Sequence, residues 1–512
     1  MNCSVLTYKQ QAIWLIFIST AIKLALGGWI EFNNDEAYYW TYAEKLQWNY
    51  FDHPPMIAAL LRPWTINPFF HHEFFLRFPF IVLGAVSCWI LFCIGKLLAD
   101  ECTGFIAACL FTASFYGNFI GGMLVLPDAP LLFFWLLTSY VFLRMIYRKT
   151  NRSSTRTNLL LAGVLIGLSI LSKAQGIFLW IGFGGYILFT SVRLLKNPFL
   201  YLGILITIII IAPAINWSLN NNLSNINFHI GRMQLQSIHL SGFLREIIGE
   251  GIYLNPIVFG LVLNGVLRRK KAPLGNAQKG IVLLLWLSLP LIFTVQFLSL
   301  FNDTLPHWNG MAYCTLLPLA AIQLRKAIQN RLIPTAIKYS LGLLVAAVLI
   351  LLILVKAYPG SLGNGRMPAL GKNDITLDMC GWRSFAQDFT KQFGGKPTVV
   401  LTDYWFPAGH LNFYLPEPFQ VMAVGPLQNI HQFAWINDIQ RSLQPGDDAF
   451  YISVSNFYSP PGPVITNAFT SIEPVIKIPQ RRSGKIVRYF YIYPLRDYRG
   501  GIPANGLIAG TP

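Results

Sequence analysis

The chain has 512 residues, of which 54% are hydrophobic and only 12% are charged. A soluble protein carries more charge than this, so the composition indicates an integral membrane protein. The net charge of +17 also occurs in nucleic-acid-binding proteins, and the positions of the basic residues decide between the two classes.

The basic residues concentrate in short segments between apolar runs. Four such segments contain Lys and Arg but no acidic residue: 144–156, 193–196, 268–279 and 325–338. Short basic loops between spans mark the cytoplasmic side of a membrane protein. The charge pattern therefore predicts a membrane topology and excludes a nucleic-acid-binding surface.

Apolar runs that approach the length of a membrane span recur along the chain. A spanning helix needs roughly 17–25 mostly apolar residues. Runs of this kind are 12–30, 75–98, 103–123, 129–147, 198–217, 251–267, 281–301, 309–324 and 334–356. The stretch 158–194 is ambiguous because the polar segment SKAQG at 172–176 interrupts it. Two short spans there leave every basic loop on one side, which predicts about eleven transmembrane helices with a cytoplasmic N-terminus and an outer C-terminus.

The residues capable of chemistry face outward in this topology. All eight histidines and nearly all acids of the membrane half fall on the outer side. The first outer loop, 31–74, is long and begins with NNDEAYYW. Asp35 and Glu36 are either the solvated end of a helix or catalytic carboxylates, and Tyr38 fits an aromatic belt at the interface.

The same loop continues with YFDHPPM. The two prolines fix a non-helical backbone and hold Asp52 and His53 at a defined place near the membrane surface. The motif is either a simple turn or part of a site.

Further polar residues stand at outer helix junctions. Asp128 lies between the third and fourth spans, where an N-cap is the default interpretation. Lys173 lies between two apolar helices, where it either snorkels to the surface or binds an anionic ligand. Arg232 and the pair His307 and Trp308 lie in outer loops. Together these residues supply the groups that transfer from a lipid phosphate requires. An acceptor hydroxyl needs a carboxylate base, and the departing phosphate needs cations.

The composition changes after residue 357. The segments PTVVLTDYW, FQVMAV, DAFYISV and KIVRYFYIYPL have the pattern of strands, and Arg383–Phe393 that of a helix. The sequence thus predicts a membrane domain over 1–357, a periplasmic α/β domain over 358–498 and a disordered Gly/Pro-rich tail over 499–512.

Six motifs, in this order, resemble the bacterial family 39 glycosyltransferases. They are NNDEAYYW, YFDHPPM, LPDAPLLFFWLL, GLSILSKAQGIFL, FHIGRM and PHWNGMAY. That family is grouped with the protein O-mannosyltransferases and the lipid A aminoarabinose transferases in the GT-C superfamily. The resemblance implies a polytopic GT-C enzyme that takes a sugar from a polyprenyl-phosphate donor on the outer side of the membrane.

The resemblance also implies roles for individual residues. Asp35 matches the acid that begins the first-loop motif, which acts as the base or orients the acceptor, and Glu36 matches its neighbour. Asp128 matches a second acid at the junction of the third and fourth helices. Lys173 and Arg232 correspond to phosphate contacts.

The first-loop motif departs from the aminoarabinose transferases, which carry Glu-Lys where this chain has Asp52 and His53. His53 therefore either replaces the phosphate-binding lysine or joins Asp52 and His307 in holding a divalent cation. Oxygen and imidazole ligands suit Mg²⁺, Mn²⁺ or Zn²⁺, although no ligand spacing requires a metal.

The expected function is an undecaprenyl-phosphate-dependent glycosyltransferase of the bacterial inner membrane. Its acceptor is the hydroxyl of a glycolipid such as lipid A, of a cell-envelope glycan or of a protein, and direct displacement would invert the anomeric centre. Asp35, Glu36 and Asp128 are the expected catalytic residues, and Glu36, Asp52 or Asp128 orients the sugar and the acceptor or holds a divalent cation. His307, Trp308 and Tyr38 are expected to orient the substrates. One alternative is a polyprenyl-linked glycan flippase or secondary transporter, which would have polar residues on both faces and repeat symmetry. The other is a ligase or polymerase of lipid-linked glycans.

Overall fold

A computed structural model describes residues 6–147, 152–231, 237–268, 276–325, 333–395, 398–437 and 443–508. The chain divides into two compact units. The first unit comprises residues 1–27, 48–60 and 74–346, and the second comprises 28–47, 61–73 and 347–512. Most of the predicted first outer loop therefore belongs to the same unit as the C-terminal region.

Helices account for nearly all regular structure before residue 357. In chain order they are α1 (Tyr8–Trp29), α2 (Asn34–Trp40), α3 (Met56–Thr65), α4 (Glu73–Leu98), α5 (Glu101–Ala113), α6 (Asp128–Tyr147), α7 (Arg152–Ser172), α8 (Phe178–Thr190), α9 (Pro198–Asn220), α10 (Ser224–Gly231), α11 (Leu240–Leu254), α12 (Pro256–Leu267), α13 (Asn276–Leu298), α14 (Gly310–Arg325) and α15 (Thr335–Lys356).

Several of these helices can cross a membrane. Within the described ranges, seven are long and apolar enough: α1, α4, α6, α7, α9, α13 and α15. Helices α11 and α12 pass the same test as a pair bent by 105°, and Glu101–Ala113 and Ala174–Thr190 are shorter apolar segments. The mainly helical, polytopic fold is confirmed, while the number of about eleven spans stays a prediction.

The interrupted stretch 158–194 forms two helices, as the sequence predicts. Helix α7 ends at Ser172, a short 3₁₀ turn covers Ala174–Ile177, and α8 begins at Phe178. A Cβ atom on Gly176 would lie 2.6 Å from the backbone nitrogen of Ile170. The turn can therefore fold back this tightly only with glycine at that position.

Asn255 produces the sharp bend between α11 and α12. It adopts φ +80°, a conformation that asparagine tolerates better than most residues, and Pro256 opens α12 at a position where no N–H is needed. The Asn255 side chain accepts from the Ile257 amide and donates to the carbonyls of Ala113 (3.0 Å) and Ser340 (2.9 Å). One residue thus sets the backbone angle and ties the bend to α5 and α15.

The C-terminal region forms a sheet with helices around it. Its elements are α16 (Trp382–Phe393), β1 (Thr398–Thr402), α17 (Trp405–Tyr414), β2 (Phe419–Ala423), α18 (Leu427–Ile430), α19 (Phe433–Ile436), β3 (Ala449–Val454), α20 (Pro463–Asn467), β4 (Phe469–Ile472), β5 (Ile476–Arg482) and β6 (Lys485–Tyr498). The strand order is β2-β1-β3-β6-β4, and β5 also pairs with β6. Strand β1 runs parallel to β2 and β3, whereas β6 is antiparallel to its neighbours.

The sequence predicts four of these strands and the helix α16, but it misses β4 and β5. Strand β4 has only four residues, which is too short for a clear alternation. Strand β5 contains Pro479 and three basic residues, and Pro normally argues against a central strand. Most of its side chains are at least partly exposed, as suits a strand paired along one side only.

Part of the predicted disordered tail is ordered against this sheet. Leu507 forms a bridge with Gly425, and Asn437 donates from its side chain to the carbonyl of Asn505. These contacts satisfy backbone groups that a disordered segment would leave to water. Residues 509–512 of the tail lie outside the described residues.

Candidate active site

Asp128 and Lys173 form a buried ion pair in the first unit. The Lys173 Nζ donates to Asp128 Oδ2 over 2.9 Å, and the two side chains are only 5% and 2% exposed. Asp128 begins α6, and Lys173 lies in the turn between α7 and α8. Two residues that the sequence places separately on the outer side are therefore direct partners, and each compensates a charge that is costly to bury alone.

Tyr116 is a third member of this site that the sequence analysis missed. Its hydroxyl donates to Asp128 Oδ1 over 3.2 Å, and its side chain is completely buried. Gly310, the first residue of α14, packs against the ring. A Cβ atom on Gly310 would lie 2.2 Å from two ring carbons, so only glycine leaves room for Tyr116 here.

Replacing Gly310 with alanine is expected to displace the Tyr116 ring and to weaken its hydrogen bond to Asp128. We expect a loss of about 1–3 kcal/mol, the usual cost of overpacking a buried site, measured as a lower unfolding temperature of the purified protein. Gly342→Ala in α15 is the control, because a Cβ atom there would meet nothing within 4 Å. Equal unfolding temperatures for the two variants would contradict the proposed fit.

His307 and Trp308 lie near the same pair. Both belong to the 3₁₀ turn Pro306–Asn309 that precedes α14. His307 lies within electrostatic range of Asp128, and Trp308 packs against the buried core of the first unit. The structure thus brings Asp128, Lys173 and His307 together.

The DHPP motif is held by α9 and α10. Asn49 donates to Ser218 Oγ near the end of α9 over 3.0 Å. His229 of α10 places its Nε2 3.0 Å from the backbone carbonyl of Asp52, and its ring lies 6.4 Å from that of His53. A carbonyl only accepts, so the His229 Nε2 carries a proton. Two imidazoles therefore stand side by side at this motif.

The residues do not form the expected metal centre. In the ranges that the structure describes, no group of three or more His, Cys, Asp or Glu side chains is arranged to hold a metal ion. The expected set of Asp52, His53 and His307 is therefore not grouped as a three-ligand site. Arg232, an expected phosphate contact, lies outside the described residues.

Asp35 and Glu36 differ sharply in their surroundings within the second unit. Glu36 is completely buried, and its carboxylate accepts from the backbone amide of Asn33 over 3.2 Å. Asn33 in turn accepts from the Glu36 amide over 2.9 Å, which completes a capping box at the start of α2. Asp35 lies in the same first turn but is exposed. Glu36 therefore has a structural role, and Asp35 is the more accessible carboxylate.

Tyr38 is buried in an aromatic cluster of the second unit. Its side chain is 1% exposed, its ring packs on Trp405 at 5.0 Å, and its hydroxyl accepts from the Gln432 amide over 3.1 Å. The structure thus gives Tyr38 a packing role instead of a place at the interface.

Asn34 anchors the N-terminus of α2 through two titratable groups. Its side-chain oxygen lies 2.9 Å from His410 Nε2, and its side chain also hydrogen-bonds to Asp378. Burial holds the pKa of His410 well below its ordinary value, so the imidazole is neutral. His410 is stacked on Trp382 at 4.1 Å, and Arg488 lies over the same indole at 4.4 Å.

Asp378 makes the stability of the second unit depend on pH. Burial raises the pKa of Asp378 from 3.8 to about 6, so an unfolded chain loses this proton at lower pH than the folded chain does. Stability contributed by Asp378 is therefore lost as the pH rises from 3.8 to about 6. The shift corresponds to roughly 1–3 kcal/mol. We expect Asp378→Asn to unfold at a higher temperature than the wild type at pH 7. The difference between the two unfolding temperatures should disappear near pH 4.

The matched control is Asp388→Asn, because Asp388 is an exposed acid on the neighbouring helix α16. Thermal unfolding of both variants between pH 4 and pH 7 checks the prediction. Parallel pH profiles for Asp378→Asn and the wild type would rule out Asp378 as the source.

A protein family matches the region that holds most of the first-unit site. The family described as dolichyl-phosphate-mannose-protein mannosyltransferase matches residues 52–217, about a third of the chain. The matched range contains Asp52, His53, Asp128 and Lys173. A curated relative, the lipid A galacturonosyltransferase RgtD of Rhizobium johnstonii, is 22% identical over 286 residues. That alignment covers 55% of this chain and 58% of the relative, so the similarity spans little more than half of the relative's length.

Solved structures match the fold over nearly its whole length. ArnT from Cupriavidus metallidurans in the apo state has a TM-score of 0.64 and 13% identity, and the match covers 94% of this chain and 97% of that one. The same protein bound to undecaprenyl phosphate has a TM-score of 0.63 and 14% identity with the same coverage. The chain thus has the fold of ArnT over nearly its full length. In parts of its sequence it is similar to the mannosyltransferase family and to a lipid A galacturonosyltransferase.

Proposed function

We propose that this chain is a glycosyltransferase of the bacterial inner membrane. It takes a sugar from a polyprenyl-phosphate donor, in which the lipid carrier is undecaprenyl phosphate. The acceptor is a hydroxyl of lipid A or another glycolipid, of an envelope glycan or of a protein on the periplasmic side. The observation that carries the proposal is the buried Lys173–Asp128 pair in a fold shared with an ArnT that binds undecaprenyl phosphate.

In the proposed reaction, the acceptor oxygen attacks the anomeric carbon of the donor sugar. Asp35 takes the hydroxyl proton as the new C–O bond forms, and the bond from the anomeric carbon to the phosphate oxygen breaks. The polyprenyl phosphate leaves with the bonding electrons, so its charge needs cations nearby. Lys173, Arg232 and His53 supply them, and a single displacement inverts the anomeric centre.

The ion pair prepares Lys173 for this role. An ammonium has three N–H donors, and one of them donates to Asp128. Asp128 thus holds the ammonium group in a fixed position in a site with little water.

The proposal is tested by incubating the purified protein with a panel of polyprenyl-phosphate sugars and candidate acceptors and by mass spectrometry of the products. Transfer of a sugar with release of polyprenyl phosphate supports it, and NMR of the product reports the anomeric configuration. Movement of a donor across vesicles without cleavage of any donor would support a flippase instead. Transfer of whole oligosaccharides would point to a ligase or polymerase.

A further inference from the structure

Two buried acids have no role in the proposed glycosyl transfer. Glu246 and Glu250 lie one turn apart on α11, and their side chains are 0% and 2% exposed. Residues four apart share one face of a helix, so both carboxylates point the same way. Glu246 belongs to the half of the broken helix that ends at the Asn255 bend.

The hydrogen-bond donors to these acids are neutral. Glu250 accepts from Asn309 over 2.5 Å, from Tyr313 over 2.7 Å and from Gln296 over 2.8 Å. Glu246 accepts from Thr304 over 2.6 Å through one oxygen. These bonds connect α11 with the end of α13, the turn before α14 and α14 itself.

Several oxygens of this cluster have no donor. Glu246 Oε1, Gln296 Oε1 and Asn309 Oδ1 are buried and make no hydrogen bond in the part of the chain that the structure describes. An amide oxygen lies only about 2.2 Å from its own nitrogen. The unpartnered oxygens of Gln296 and Asn309 therefore lie close to Glu250, to which their nitrogens donate. Buried acceptors without donors are rare in folded proteins.

The charge of the cluster is also unbalanced. Among the described residues, Arg245 is the basic side chain in electrostatic range of Glu246, but it pairs with Asp303 over 2.5 Å and is 55% exposed. Two buried carboxylates with neutral donors carry a large desolvation cost. A cation would remove that cost and occupy the lone pairs that have no donor.

We propose that Glu246, Glu250, Gln296 and Asn309 bind one hard divalent cation of the Ca²⁺ or Mg²⁺ type. Carboxylate and amide oxygens are the ligands that such ions prefer, and two carboxylates neutralise a divalent charge. Because Asn309 belongs to the same turn as His307, the bound ion fixes that turn beside Asp128. The site differs in residues and in position from the expected set of Asp52, His53 and His307.

The full-length protein, purified in detergent and treated with a chelator, is titrated with CaCl₂, MgCl₂ or MnCl₂ at constant ionic strength set with NaCl. We expect one of these salts to raise the unfolding temperature in a saturable way by at least about 2 °C. Elemental analysis after gel filtration is expected to find about one ion per chain.

Glu246→Gln is expected to abolish the rise, and the chelated variant should unfold at a higher temperature than the chelated wild type because one buried charge is gone. Asp303→Asn, which removes a 90% exposed acid nearby, is the matched control and should keep the full rise. If Glu246→Gln does not accumulate, Gln296→Met tests the same point. An equal rise in the ligand variants and the control would overturn the proposal. The proposal would also be overturned if the unfolding temperature depended on pH but on none of the cations. A proton, and not a metal ion, would then neutralise the buried acids.

Discussion

Lys173→Met is expected to destabilise the protein by about 3–5 kcal/mol and to abolish sugar transfer. The variant leaves the Asp128 carboxylate, only 2% exposed, buried without its cation, and this is the cost of breaking a buried ion pair from one side. Asp128→Asn should cost a similar amount, because the Lys173 ammonium then loses its partner. Thermal or detergent-induced unfolding measures both losses.

The double variant Asp128→Asn/Lys173→Met separates structure from function. It removes both charges, so much of the lost stability should return, and the coupling energy between the two sites should be large. Transfer activity should stay absent, because the proposed phosphate contact is gone. If activity returns together with stability, Lys173 has only a structural role. If the losses of the two single variants add up to the loss of the double variant, the coupling energy is zero and the pair contributes nothing to folding.

Asp35→Asn is expected to lower transfer by a factor of roughly 10²–10⁴, the usual contribution of a general base. Its unfolding temperature should change little, because Asp35 is exposed in the first turn of α2. Activity assays at saturating donor, with and without acceptor, measure the loss. Full activity in Asp35→Asn would remove the base assignment.

Glu36 supplies the matched control for Asp35. Glutamine also serves at the third position of a capping box, so Glu36→Gln should keep the bond to the Asn33 amide and most of the activity. Glu36→Ala should lose about 1 kcal/mol of stability through the cap. A large loss of activity in Glu36→Gln at unchanged stability would move the catalytic role from Asp35 to its neighbour.

The polytopic class could be predicted from composition and apolar runs, because lipid demands long helices with few charges. The basic loops also led to the two-helix interpretation of 158–194, which the structure confirms. The bend at Asn255 could not be predicted from composition and apolar runs. An apolar run of helical length does not reveal a single left-handed residue within it, although the pair Asn255 and Pro256 was a usable signal.

The proximity of Asp128 and Lys173 was partly predictable. Two lone opposite charges on the same side of apolar helices are costly to bury separately, which favours pairing. Their separation of 45 residues gave no distance, however, and nothing in the sequence pointed to Tyr116. The role of Glu36 was visible, because Asn33 followed three residues later by Glu is a capping signature.

Tyr38 shows the limit of interpretation from local pattern. Three aromatics next to a membrane span are typical of an interfacial belt. The burial of Tyr38 depends instead on Trp405 and Gln432, hundreds of residues later in the chain. Only the long-range packing of the second unit reveals that contact.

The bend at Asn255 has a consequence for sequence variation. Glycine would adopt φ +80° as easily, but it would lose three side-chain hydrogen bonds. Glutamine has the same amide group, but its longer side chain moves the amide away from these partners. Aspartate has no N–H group and cannot donate to the carbonyls of Ala113 and Ser340. In a library that carries every amino acid at position 255, selection for a folded protein should therefore favour asparagine. We expect this preference although position 255 is far in sequence from the proposed base, Asp35.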